Sequence, residues 1–210
     1  MSIHDVTIKE VGTGNFVVAQ LDDALPASSF FEIEGAWEQP RSRLAEALQA
    51  ARVAQDQWPQ SLHWDWASKS ELISFQRQTD KYRLFGLRLG AEWQGAMLTL
   101  RNEKTGRLER ALGQPLIYVD FLESAPWNWR VPDIGQGGRY GRIGRVLLRF
   151  AVEQSNAEGC AGRLGLHALE QAEHLYVGIG MKSLGPDVDK EGLTYFEFSE
   201  DAAIEFMNRR

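Results

Sequence analysis

A single cysteine, Cys160, in 210 residues excludes an internal disulfide and gives no sign of an oxidising compartment. No apolar run approaches the ~20 residues that a membrane-spanning helix needs. The opening stretch MSIHDVTIKEVGTG lacks the basic and apolar regions of a secretory signal, so the expected location is cytoplasmic. An excess of positive charge is missing too. Lys and Arg number 23 against 29 Asp and Glu, a net charge of −6, which disfavours generic binding to nucleic acid. The four histidines, His4, His63, His167 and His174, show no HExxH or other metal-ligand spacing, so no metal is expected. No GxSxG serine is present for hydrolase chemistry, and Cys160 has no histidine or motif beside it that marks a nucleophile.

What is present suits one large domain, residues 1–210, long enough to bury a self-sufficient core. TIKEV and NFVVAQL read as short strands about the turn Gly12-Thr13-Gly14. Residues 41–57 read as a helix, with Leu44, Ala47, Leu48 and Ala51 on one stripe and Pro40 near its start. After the loop WPQSLHWDW, Ser68 and Glu71 resemble a capping box that opens a second helix, running to about Thr79. From Lys81 the stretch YRLFGLRLGAEWQGAMLTLRN alternates apolar and polar residues about Gly90-Ala91-Glu92, as an antiparallel pair does. LIYVDFL is dense enough in apolar residues for a central strand. Residues 143–157 read as a helix with Ile143, Leu147, Phe150 and Ala151 on one face, ended at Glu158-Gly159. GRLGLHAL is a strand, 171–177 a short helix, LTYFEFS the last strand and DAAIEFMNRR a terminal helix. This order argues an α/β chain with a mixed sheet and helices on both faces.

One stretch stands apart: GGRYGRIGRVLL, residues 137–148. It fails the GxGxxG fingerprint, since position 140 is tyrosine, and it has no GxxxxGK. What remains is a loop that runs into a helix N-terminus. There the first amides have no intrahelical partner and the helix dipole adds partial positive charge. Glycines allow a close backbone approach, and Arg139, Arg142 and Arg145 add formal charge, as a pyrophosphate cradle requires. The alternative is a plain turn with solvated arginines.

Arg139-Tyr140-Gly141-Arg142-Ile143-Gly144, followed by Leu147-Leu148, resembles the core motif of the GNAT family of acyl-CoA-dependent N-acetyltransferases. That motif is Arg or Gln, two residues, Gly, one residue, then Gly or Ala, and a Leu-Leu pair. GRLGLHAL matches the family's next strand. Ala172-Glu173-His174-Leu175-Tyr176 and Gly180-Met181 match its following helix, and a strand at 195–198 closes the set. The resemblance covers roughly residues 81–200, an acyl-CoA-binding core; residues 1–80 would supply a first strand, helices and the acceptor side. One departure is Arg142, which stands where the motif has its first glycine, with Gly141 one place earlier. Either the loop shifts by a residue, or Arg142 contributes its N–H with its side chain turned outward.

The resemblance implies a GNAT-like fold, a mostly antiparallel central sheet with a splayed strand pair. It also implies acetyl-CoA as co-substrate and direct acetyl transfer to a primary amine of a small molecule or peptide. Coenzyme A would meet Leu122 and Ser124 at the end of the central strand, and Arg139, Gly141, Arg142, Ile143, Gly144 and Arg145 at the loop. Tyr176 matches the family's general-acid tyrosine, which is protonated at neutral pH; otherwise it is a core aromatic. Glu123, at the strand end, is the candidate general base. Asp120, three residues earlier, faces the other way in a regular strand. His167 lies on an apolar strand, where a lone histidine is more often structural. Trp58, Trp64, Trp66, Trp127 and Trp129 suit either an acceptor pocket for an apolar or cationic amine or ordinary packing. Dimers are common in the family, so a homodimer fits as well. Two other readings stay open: a catalytically degenerate CoA-binding regulatory module, and an unrelated α/β protein whose loop binds another anion.

Overall fold

A computed structural model describes residues 2–75 and 81–209. Among the described residues nine strands form one mixed sheet. The chain divides into two compact units, Met1–Met97 with Leu122–Leu147 and Leu98–Phe121 with Leu148–Arg210.

The first unit opens with the hairpin β1 (Ile3–Glu10) and β2 (Phe16–Asp22), with Gly14 at φ +77 in its turn. β2 pairs antiparallel with β3 (Tyr82–Leu89), which turns through Gly90, at φ +61, into β4 (Glu92–Leu100). A left-handed residue at such a turn is why glycine stands there.

The helix expected over 41–57 is longer at one end and shorter at the other: α1 spans Ser29–Ala50, with Pro40 inside it. A proline in a helix interior removes one hydrogen bond and costs about 3 kcal/mol. The helix runs through because Phe30, Ile33, Trp37, Arg41, Leu44 and Leu48 form one unbroken buried stripe. Each large apolar side chain on it contributes about 1.5–3 kcal/mol on burial, which outweighs the proline several times over. α2 covers Trp66–Phe75, two residues earlier than expected. Asp65, not Ser68, caps it: Asp65 Oδ1 accepts from the Ser68 amide at 3.1 Å. The expected continuation to Thr79 lies partly outside the described residues.

β5 (Ile117–Ser124), of which the stretch 117–121 belongs to the second unit and 122–124 to the first, begins parallel to β7 (Leu164–Ala168), with pairs Ile117↔Leu164, Tyr118↔Gly165 and Val119↔Leu166. The pairing stops there although both strands continue. This is the splayed pair that the sequence led us to expect. β7 pairs antiparallel with β9 (Thr194–Phe198), and β9 with β8 (Lys182–Pro186). β8 was not legible in the sequence. It is a largely exposed edge strand with Gly185 at φ +86, a bulge and a proline, so it carries no apolar alternation. α3 (Ile143–Ala157) has the expected bounds. α4 (Glu173–Ile179) ends at Gly180, φ +100, and α5 (Glu200–Asn208) is capped by the Ser199 hydroxyl. β6 is only Tyr140–Gly141, paired with β1. Among the described residues no helix is long and apolar enough to cross a membrane.

Candidate functional site

β5 carries Glu123 into the interior of the first unit, where it is 3% exposed. A charge in such a place is costly unless donors surround it. Here they come from the two helices. The Trp66 indole N–H donates to Glu123 Oε2 at 2.5 Å, and Arg41 Nη2 donates to the same oxygen at 3.3 Å. Oε1 accepts no hydrogen bond among the described residues. Burial pushes the carboxyl up from the usual 4.5 to about 7, against the pull of Arg41, Trp66, Ser61 and Lys69 toward the charged form.

Arg41 is itself buried, and Glu34 orders it. Arg41 Nη1 donates to Glu34 Oε1 at 2.8 Å and to Oε2 at 2.9 Å. Glu34 Oε2 also accepts from the Trp66 backbone amide at 2.7 Å. One carboxylate on α1 thus holds both groups that reach Glu123. Lys69 is buried on α2, with Nζ 3.1 Å from the Asp65 carbonyl and 5.2 Å from the centre of the Trp64 ring. Burial lowers its pKa. A cleft of about 330 Å³ opens beside this network, lined by Glu34, Glu38, Arg41, His63, Trp64 and Asp65 among others.

Glu34, Arg41 and Lys69 were not singled out in the sequence. The signal existed: Glu34 and Arg41 lie seven residues apart, two helical turns on one face. Reading Pro40 as a helix start hid it, because Glu34 then fell outside the helix.

The motif loop joins α3 in the same unit. The amides of Arg139 and Tyr140 are already used, donating to the Trp127 carbonyl at 3.0 Å and to Asn128 Oδ1 at 3.0 Å. The loop then runs straight into the first turn of α3, where Val146 N donates back to the Arg142 carbonyl at 2.9 Å. Arg142 has φ +69, the left-handed conformation that glycine favours. Its guanidinium lies over the Phe16 ring, 4.9 Å from the centroid. Arg139 lies on the surface, 3.3 Å from Glu92. Ile143 is buried, whereas Gly141, Gly144 and Arg145 are half-buried.

Glu123 and the start of α3 meet at Gly95 on β4. A Cβ there would strike Ile143 Cγ2, come within 3.2 Å of Leu147 Cδ1 and within 3.3 Å of the Glu123 carbonyl oxygen. Glycine is what allows the helix to sit this close to the strand. Leu122 is half-buried, and the Ser124 carbonyl is taken by the Trp129 indole N–H at 2.8 Å. Trp127 donates to Gln94 Oε1 at 3.0 Å and Trp58 to the Val53 carbonyl at 3.0 Å. These three tryptophans anchor loops, and Trp66 and Trp64 stay with the Glu123 network.

Tyr176 belongs to the second unit. It is 6% exposed on α4, its ring 5.7 Å from Phe196, and burial pushes its phenol up to about 12. His167 is held on both sides: Nδ1 lies 2.7 Å from the Tyr118 hydroxyl and Nε2 3.0 Å from Asp187 Oδ2. Asp187 accepts only, so the hydrogen sits on Nε2 and Tyr118 donates to Nδ1. That ties β5, β7 and the 187–193 loop together, the structural role expected of a lone strand histidine. Burial raises the Cys160 thiol. Among the described residues no three His, Cys, Asp or Glu are grouped to hold a metal ion.

No family model and no curated protein matches the sequence. Solved structures do match the fold. A putative acetyltransferase of the GNAT family from Desulfovibrio desulfuricans is 10% identical, with TM-score 0.53 over 87% of this chain and 99% of its own. An uncharacterized protein from Bacillus halodurans is 7% identical, with TM-score 0.56 over 97% and 94%. The PaiA N-acetyltransferase from Thermoplasma acidophilum, solved with coenzyme A, is 12% identical, with TM-score 0.49 over 86% and 98%. The fold is that of the GNAT acetyltransferases.

Proposed function

We propose that this chain is an acyl-CoA-dependent N-acetyltransferase that takes acetyl-CoA as co-substrate and a primary amine of a small molecule or peptide as acceptor. The observation that carries it is Glu123, a buried strand-end carboxyl that burial pushes up to about 7, with one oxygen lacking a hydrogen-bond partner, packed beside the start of α3. Those two features are the two halves of the chemistry: proton removal, and an anchor for an anionic carrier.

The residues present fit coenzyme A. The amides of Ile143, Gly144 and Arg145 would hold its pyrophosphate on the α3 N-terminus, and the part of β5 beyond Val119, unpaired by β7, offers backbone groups to an extended arm. When bound, acetyl-CoA supplies an acetyl group activated as a thioester. The chain's own task is to place the amine and move two protons. Glu123 Oε1 takes the proton that the amine nitrogen loses as it forms the new C–N bond. The resemblance gives the Tyr176 phenol, protonated at physiological pH, as the donor to the sulfur as the C–S bond breaks. The acid-lined cleft at Glu34, Glu38 and Asp65, with Trp64 on its wall, suits the approach of a cationic amine.

The test is acetyl-CoA itself. A ligand that binds the folded state alone raises the melting temperature as its concentration passes its dissociation constant. A shift accompanied by thioester consumption over polyamines, aminoglycosides, amino acids and peptides is the expected result. A shift without turnover on any acceptor favours the regulatory CoA-binding module. No shift at millimolar acetyl-CoA removes both readings.

A further inference from the structure

We propose that Trp66 is a positioning residue for Glu123: its indole N–H, together with the Arg41 guanidinium, holds the carboxyl by Oε2 and so fixes the direction of the unpaired Oε1. This rests on the reading of Glu123 as the base. A carboxyl on its own turns about a broad, roughly twofold terminal torsion, so neither oxygen is preferred. Here the Trp66 and Arg41 donors converge on Oε2, at 2.5 and 3.3 Å, whereas Oε1, equally buried, has no hydrogen-bond partner among the described residues. A base acts only within hydrogen-bond reach of the proton it takes, and a carboxyl fixed by one oxygen presents the other in a constant direction.

The donors are fixed in turn. Trp66 is fully buried, its ring edge-on to Trp37 at 6.1 Å and 6.2 Å from Phe30. Its amide is bound by Glu34, the same carboxylate that binds Arg41. The groups that face Glu123 are Arg41 from α1, Trp66 and Lys69 from α2, and Ser61 from the turn before α2; Glu34 stands behind Arg41. All four that act on Glu123 favour its ionised form against burial. The Trp66 N–H can be removed without changing a charge and with little change of volume.

The experiment places 3-benzothienylalanine at position 66, which keeps the bicyclic ring and replaces its N–H by sulfur. The Glu123 carboxyl is followed by carbon-13 NMR in glutamate-labelled protein, its resonance assigned by its loss in Glu123→Gln. The expected result is a titration midpoint moved up from about 7 by on the order of one pH unit, a tenfold change in ionised fraction. The acid limb of the acetyl-transfer profile moves with it. Phe30→Leu, which loosens the same packing and leaves the N–H, keeps the midpoint in place. An unchanged midpoint with the analogue, or an equal movement with Phe30→Leu, overturns the positioning role. A midpoint that moves while the acid limb stays overturns Glu123 as the base, a separate failure that the carboxyl titration identifies.

Discussion

Arg142 stands in a glycine's place, and replacing it tests whether the backbone or the side chain is what the motif uses. A left-handed L-residue costs about 1–2 kcal/mol relative to glycine. Glycine gives back about 0.5–1 kcal/mol through the greater entropy of its unfolded chain. Arg142→Gly and Arg142→Ala both lose the contact with Phe16, so their difference isolates the backbone. At an ordinary position alanine is the more stable of the two. At φ +69 the order reverses, and glycine is expected to be the more stable by about 0.5–1 kcal/mol, roughly 1–4 °C in melting temperature for a domain of this size. The assay is paired thermal unfolding of the two variants. If Arg142→Ala melts at or above Arg142→Gly, the left-handed assignment is wrong. Calorimetric titration with coenzyme A carries the functional half. The side chain is turned toward Phe16, so both variants are expected to lose no more than an exposed charge is worth, up to ~1 kcal/mol or about fivefold. A collapse of affinity in both would make the guanidinium the phosphate ligand instead.

Three further outcomes are expected. Tyr176→Phe slows acetyl transfer and leaves coenzyme A affinity nearly intact; an affinity that falls in step with the rate marks Tyr176 as a packing residue. Glu123 makes stability fall with rising pH. Its folded form keeps its proton to about 7, while the unfolded carboxyl loses it near 4.5, so the unfolded state binds fewer protons in that window. The loss is up to ~3 kcal/mol, complete above about pH 7. Urea unfolding at about pH 5 and about pH 8 should show this fall in the wild type and not in Glu123→Gln, and parallel curves would refute the raised carboxyl. Gly95→Ala drives a methyl group into Ile143 and toward Leu147. It is expected to cost about 1–3 kcal/mol and to weaken coenzyme A binding by displacing the first turn of α3; a wild-type melting curve would show that the helix does not lie so close.

Several elements were plain in the chain because local pattern and tertiary role agree. α3 has apolar residues at helical spacing and a glycine stop, and it begins and ends where that pattern does. The β3–β4 hairpin follows from alternation about a single glycine turn. α1 was misread where the two conflict. Proline is a local signal of a helix start, and it was overridden by a buried stripe that only the packed molecule rewards. β8 escaped because an exposed edge has no apolar pattern to show.

The candidate site divides in the same way. The sequence by itself determined the motif loop and the strand end at Glu123, because these depend on residue types at fixed short spacing. It could not determine that Arg142 would adopt a glycine's backbone, since that choice depends on β1 holding Tyr140–Gly141 and on Phe16 receiving the guanidinium. Nor could it determine the surroundings of Glu123. Glu34, Arg41 and Trp66 lie 57 to 89 residues away along the chain, and only tertiary packing brings them to one carboxyl, takes it out of water, occupies one of its oxygens and leaves the other unpaired.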